Sequence, residues 1–283
     1  MIRFSPLTPF VLSHTFMTQA SRTITSAFQD RAAQGTAALI PYICAGFPDA
    51  EASLQLMFEA ADAGADIIEL GIPFSDPLAD GPTIQQATFK ALEGGMTVRG
   101  ALDLLRRFRQ ERDTPVVLFT YLNPVHHMGL EAFVAQARDA GAQGLLLTDL
   151  PAGADEGVET TVRQGGLELI RLLAPTSSPA RIREVAQGGS GFIYYISRTG
   201  VTGARTELRS ELKREVEALR NEMDLPVAVG FGISTPEQAA AVAALADGVV
   251  VGSALVTRVE EEGVEAGGVF LRALRRGMDG HAN

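Results

Sequence analysis

Eight short apolar runs, each separated from the next by a helix-like stretch, leave this chain few folds to adopt. The runs are Ala38–Ile43, Ile67–Ile72, Val116–Tyr121, Gly144–Asp149, Leu169–Ala174, Phe192–Ser197, Val227–Phe231 and Val249–Ser253. Each is close to continuously apolar, as a strand covered on both faces should be. Amphipathic stretches lie between them, at Ala52–Ala63, Thr97–Arg109, Leu130–Ala140, Ser178–Ala186, Glu207–Asn221 and Pro236–Leu245. Eight such strands alternating with helices predict an α/β fold, a closed (β/α)8 or TIM barrel. An open doubly wound sheet would require no count of eight. Residues 20–34 carry Ile24, Phe28 and Ala32 at helical spacing, which predicts an extra helix capping the barrel bottom. A further helix is expected near Thr83–Leu92, within the longest unit. Asp49 and the Ser234–Thr235–Pro236 run are helix starts, and Gly64, Gly141 and Gly248 fall where helices end.

The chain has 283 residues, 46% hydrophobic and 20% charged, enough apolar material for a sizeable core. Its net charge of −10 gives no footprint for nucleic acid or an anionic membrane. An anionic substrate would need a local site that overrides this charge. The single cysteine, Cys44, excludes a disulfide framework and thiolate metal clusters. No apolar run approaches the ~18 residues of a membrane span. The first 29 residues lack acids and hold nine Ser or Thr, a weak likeness to a transit peptide. The simpler expectation is that residues 1–19 are a disordered or non-native extension, Met17 being the true start. Residues 20–283 are then expected to form one catalytic domain.

In such barrels chemistry sits at the C-terminal strand ends and in the loops that follow. Alternation in the second run puts Ile68, Leu70 and Ile72 on one face and Ile67, Glu69 and Gly71 on the other. Glu69 should therefore point into the barrel, where burial raises a carboxyl pKa toward neutrality and suits it to proton transfer. The competing expectation is a buried ion pair with Arg171 of the fifth run. In the next loop Asp76 or Asp80 could be a second catalytic carboxylate, or either could cap a turn or helix.

Glycines at the seventh and eighth strand ends, in Gly230–Ser234 and Gly252–Ser253, have the form of a barrel phosphate site. The stretch Ser197–Arg205, bracketed by Gly200 and Gly203, suits a hinged lid or a simple long loop. Neither Lys90 nor Lys213 lies at a strand end, so a Schiff-base aldolase is not expected. His14, His126, His127 and His281 form no metal-ligand set. His126 and His127 read as an exposed loop pair, and Cys44 as a small wall residue.

The run Glu69–Gln85, ELGIPFSDPLADGPTIQ, resembles the signature of the tryptophan synthase alpha subunit family. Ser197–Gly203 and Gly230–Ser234 resemble two further marked segments of that family. The similarity extends in order from about residue 22 to about residue 260. It implies a lyase of tryptophan biosynthesis that cleaves indole-3-glycerol phosphate to indole and glyceraldehyde 3-phosphate without metal or organic cofactor. Carried over residue by residue, it implies proton transfer by Glu69 and stabilisation of the charged indole by Asp80, with Tyr194 beside them. Gly203, Gly232, Gly252 and Ser253 would hold the phosphate, and Thr202 would be the lid residue. Tyr42, Phe119, Leu146 and Ile233 would line the indole pocket. The family pairs with a pyridoxal-phosphate beta subunit as a cytoplasmic αββα tetramer, the cofactor belonging to the partner. The expected contact surface includes Asp76 and the Asn123–Gly129 loop. Cys44 departs from a threonine common in the family, and Glu260–Asn283 is longer than the pattern. A lysine-dependent indole-glycerol-phosphate synthase, a stand-alone lyase and a non-catalytic barrel that activates a partner are the rival readings.

Overall fold

The computed structural model describes residues 22–196, 205–230 and 232–280. The expected N-terminal extension, the lid residue Thr202 and the phosphate residue Gly203 lie outside them.

The strands are β1 (Ala38–Cys44), β2 (Ile68–Gly71), β3 (Val116–Thr120), β4 (Gly144–Leu147), β5 (Glu168–Leu173), β6 (Ile193–Ile196), β7 (Val227–Gly230) and β8 (Gly248–Val251). All pairings are parallel and sequential, and β8 returns to β1 to close the barrel. The helices before β4 are α1 (Ile24–Ala33), α2 (Ala50–Asp62), α3 (Pro82–Glu93), α4 (Val98–Arg109), α5 (Leu122–Met128) and α6 (Leu130–Asp139). Those after it are α7 (Glu156–Gln164), α8 (Pro179–Gly188), α9 (Arg205–Arg220), α10 (Pro236–Ala243), α11 (Ser253–Glu262) and α12 (Val264–Asp279).

The period-2 pattern sorts the apolar side chains into two clusters. Ile40, Ile67, Val117, Leu146, Ile170, Ala228 and Val250 fill the barrel, while Ile68, Leu70 and Leu118 face the helices. The expected bottom cap is α1. Its Ile24 and Phe28 join the interior cluster, and the Phe28 ring lies 5.5 Å from that of Phe192. Each fully buried side chain of this size stabilises by roughly 1.5–3 kcal/mol.

One glycine differs from expectation. Gly248 ends no helix; it opens β8. A Cβ there would lie 3.0 Å from the Ala228 Cβ of β7 and 3.2 Å from both Ile40 of β1 and Phe28 of α1, so crowding from both neighbouring strands and from the bottom cap favours glycine. Gly64 does sit just beyond α2 at φ +90°, and Gly141 just beyond α6 at φ +95°, as the sequence predicts. Asp49 caps α2 by accepting from the Ala52 N–H at 2.8 Å, and Thr235 with Gln238 forms a capping box on α10.

A buried carboxylate ties the bottom together. Asp66, just before β2, accepts from Arg22 (2.7 Å), Arg31 (2.8 Å), Arg275 of α12 (3.3 Å) and the Leu39 N–H of β1 (3.0 Å). The C-terminal segment, which has no counterpart in the sequence motifs, thus contributes α12, packed against α2 and α10.

Candidate active site

Glu69 sits in β2, in register with Tyr42 of β1 and Val117 of β3. It is 0% exposed, and among the described residues neither carboxyl oxygen has a hydrogen-bond partner. Burial disfavours the charged form and pushes its pKa to about 8. The alternative pairing with Arg171 does not occur, and strand parity explains why. Ile170 and Leu172 point into the barrel, so Arg171 between them points out. There it meets Glu159 of α7 at 2.5 Å and donates to the Leu150 carbonyl at 3.1 Å.

Two tyrosines stand beside Glu69, each over a glycine. A Cβ on Gly71 would lie 2.2 Å from the Tyr42 hydroxyl, and one on Gly230 would lie 2.5 Å from the Tyr194 hydroxyl. Burial raises both phenols well above their ordinary range, and the Glu69 and Asp80 carboxyls add to the effect. Both rings thus feel both acids, which places the four groups at one end of the barrel.

Asp80 comes from the loop between β2 and α3. Burial raises its pKa to about 6, and a hydrogen bond from Tyr121 works against the rise. The loop is held at several points. The Ala79 N–H donates to the Tyr121 hydroxyl at 3.0 Å, and the Phe74 ring lies 5.3 Å from the Tyr121 ring. Gln85 of α3 donates to the carbonyls of Pro77 (3.2 Å) and Asp80 (2.9 Å). Neither Asp76 nor Asp80 caps α3, whose N-cap is Gly81 with no side-chain cap.

The two glycine-marked ends differ. At α10, the Gln238 Oε1 accepts from the N–H groups of Ser234 (2.8 Å) and Thr235 (3.2 Å), so the protein fills its own helix start. At α11, Gly252 is the N-cap, Ser253 is the first residue, and among the described residues no side chain caps the turn. Gly232 is exposed and at φ +67°, a conformation that glycine adopts without strain. The exposed α11 start offers N–H groups and the positive end of a helix dipole to an anion.

Of the expected apolar lining, Tyr42 and Phe119 meet edge to face at 5.3 Å. Leu146 is the register partner of Phe119 and is fully buried in the barrel interior. Ile233 is buried and belongs to the same apolar cluster as Tyr42. Burial pushes the Cys44 thiol up to about 12, which leaves it an uncharged wall residue.

Asp76 and Asn123 are both exposed, and Leu78, two residues after Asp76, is 82% exposed. The Asn123 segment is a correction: it is the helix α5, not a loop. Asp149, at the end of β4, holds the helix start by accepting from the Leu122 N–H at 2.8 Å. His126 and His127 are exposed on its last turn. Tyr121 is the residue that sequence reasoning missed. The signal was present, because Val117, Phe119 and Tyr121 share one strand parity.

Residues 28–275 match the family described as tryptophan synthase alpha chain. A tryptophan synthase alpha chain of Geotalea uraniireducens is 49% identical over 259 residues, which are 90% of this chain and 97% of that one. The crystal structure of tryptophan synthase subunit alpha from Legionella pneumophila matches with a TM-score of 0.84 at 38% identity, over 91% of this chain and 98% of the other. A Mycobacterium tuberculosis tryptophan synthase structure also matches with a TM-score of 0.84 at 38% identity, over 92% of this chain and 99% of that one. The barrel, its buried Glu69, the half-buried Asp80 and these likenesses agree, and the chain belongs to the tryptophan synthase alpha chain family.

Proposed function

We propose that Glu69 and Asp80 carry the alpha-chain reaction, cleavage of indole-3-glycerol phosphate to indole and glyceraldehyde 3-phosphate. One observation supports the pair above all: two neighbouring carboxyls with separated affinities, about 8 for Glu69 and about 6 for Asp80. Between those values Glu69 holds a proton while Asp80 is charged, so one side chain donates and the other stabilises a cation.

In this reading Glu69 delivers its proton to C3 of the indole ring. The ring nitrogen becomes cationic, and the Asp80 carboxylate accepts a hydrogen bond from its N–H. The Glu69 carboxylate then takes the proton of the glycerol hydroxyl on the adjacent carbon. That oxygen forms the aldehyde carbonyl as the carbon–carbon bond breaks. The bonding electrons return to the ring, and indole leaves with Glu69 protonated again. Water exclusion inside the barrel strengthens the Asp80 interaction with the cation. Tyr194 and Tyr42 stay neutral and shape the site around Glu69.

Gly232, Gly252 and Ser253 hold the phosphate at the start of α11, with Gly203 completing the cradle and Thr202 acting from the lid. Tyr42, Phe119, Leu146 and Ile233 enclose the indole ring. Residues 20–283 act as one catalytic unit in the cytoplasm. A beta subunit docks over Asp76 and Asn123 to give an αββα tetramer and holds the pyridoxal phosphate. No helix among the described residues is long and apolar enough to cross a membrane.

The test is indole release from indole-3-glycerol phosphate by the full chain, alone and with a beta subunit, across about pH 5 to 9. The expected kcat/KM profile is a bell with limbs near the Asp80 and Glu69 values. Glu69→Gln is expected to lower the rate by at least ~10². Unchanged turnover in Glu69→Gln removes Glu69 from the mechanism, and rapid release unaffected by partner favours a stand-alone lyase.

A further inference from the structure

We infer that Tyr121 is a positioning residue for Asp80, seating the loop that carries the carboxylate and donating its hydroxyl proton to it. The inference rests on the reading of Asp80 as the charged group that stabilises the indole cation.

The geometry is built from both sides of the tyrosine. Its backbone is fixed as the N-cap of α5, where the following N–H, that of Leu122, is held by Asp149. Its ring is fixed against Phe74, at the front of the same loop that carries Asp80. Its hydroxyl accepts from the Ala79 N–H at 3.0 Å, one residue before Asp80. A phenol has one proton to give. The Ala79 N–H occupies one acceptor position and Thr148 lies within reach of the hydroxyl, its own proton given to the Thr120 carbonyl; the phenol proton is directed at the Asp80 carboxyl, one residue beyond Ala79. Tyr121 itself is 5% exposed, so water does not compete freely for it. Burial holds its own pKa up, at about 12, and it stays a donor throughout the working range.

The other titratable groups felt across this space are Tyr42 and Cys44 of β1, Glu69 of β2 and Tyr194 of β6. Among the described residues, Tyr121 is the side chain whose hydrogen bond opposes the desolvation of Asp80. A hydrogen bond to the charged form favours that form. Tyr121 thereby widens the interval in which Asp80 is ionised while Glu69 keeps its proton. It acts through Asp80 and touches no reacting atom in this account.

The experiment is the pH profile of indole release by the full chain carrying Tyr121→Phe. Phenylalanine keeps the ring contact with Phe74, and the Ala79 N–H, on an exposed residue, can turn to water. The acidic limb of kcat/KM is expected to move upward by about one unit, a roughly tenfold loss on that limb. The loss should shrink to within about threefold on the plateau. A uniform loss with the limb in place, or no loss, overturns the inference. Asp80→Asn, run in parallel, separates the two claims. If Asp80→Asn cleaves like the parent, the reading of Asp80 falls. If it is impaired while the Tyr121→Phe limb has not moved, only the role of Tyr121 falls. Should Tyr121→Phe not fold, 3-fluorotyrosine placed at position 121 keeps the ring and makes a stronger donor. Its acidic limb is expected to move downward, and an unmoved limb overturns the inference.

Discussion

An acid kept inside an apolar barrel makes the fold pay whenever the solution is basic enough to ionise it, and the size of that penalty follows from the structure. In the unfolded chain Glu69 loses its proton near its ordinary value of 4.5; in the folded chain it holds it to about 8. Between those values the unfolded state binds fewer protons, so stability falls as pH rises and levels off above about 8. A gap of about 3.5 units, at ~1.36 kcal/mol per unit, amounts to roughly 5 kcal/mol over the whole interval. From pH 5.5 to pH 8 the share is roughly 3 kcal/mol, a sizeable part of a typical folding free energy. Urea unfolding of the parent and of Glu69→Gln at these two pH values isolates the effect. The amide also lacks partners in that site, so the informative quantity is each protein's change with pH, not the difference at one pH. The parent is expected to lose roughly 3 kcal/mol more than the variant, with m-values unchanged. Parallel losses in the two proteins would refute the argument that Glu69 is held protonated by burial.

Two further outcomes follow from close contacts. Gly71→Ala puts a methyl 2.2 Å from the Tyr42 hydroxyl, so the ring must move; a cost of about 1–3 kcal/mol in unfolding experiments and a lower kcat are expected. Asp66→Asn leaves the arginines around it without their shared carboxylate, and a loss of about 3–5 kcal/mol in urea unfolding is expected with the KM of the surviving folded protein unchanged.

The barrel was legible because eight runs buried on both faces carry their pattern in consecutive residues. Glu69 was legible for the same reason, since one polar residue in an apolar strand stands out and parity gives its direction. The same parity, applied to Ile170 and Leu172, turns Arg171 away from Glu69; what the sequence hides is its actual partner, Glu159 on α7. Gly248 was misread because a glycine before a strand looks the same whether it ends a helix or yields room to side chains packed inside the barrel. The α5 segment was taken as a loop because its start depends on Asp149, 27 residues later. Tyr121 was passed over because its importance lies in a loop that folds across to it, a relation no local window contains.

The clamp at Asp66 also bears on the order in which the protein can assemble as it is made. Ala38 of β1 finds its strand partner in Gly248, and Asp66 waits for Arg275, 209 residues later. Until β8 emerges β1 presents a bare edge, and until α12 follows the carboxylate has only Arg22, Arg31 and the Leu39 N–H. The mouth residues Glu69, Asp80 and Tyr121 come from the first half of the chain, yet the cylinder around them is sealed by β8, the last strand to be made. A chain cut short before β8 would hold its chemical groups and lack the closure that keeps water from them.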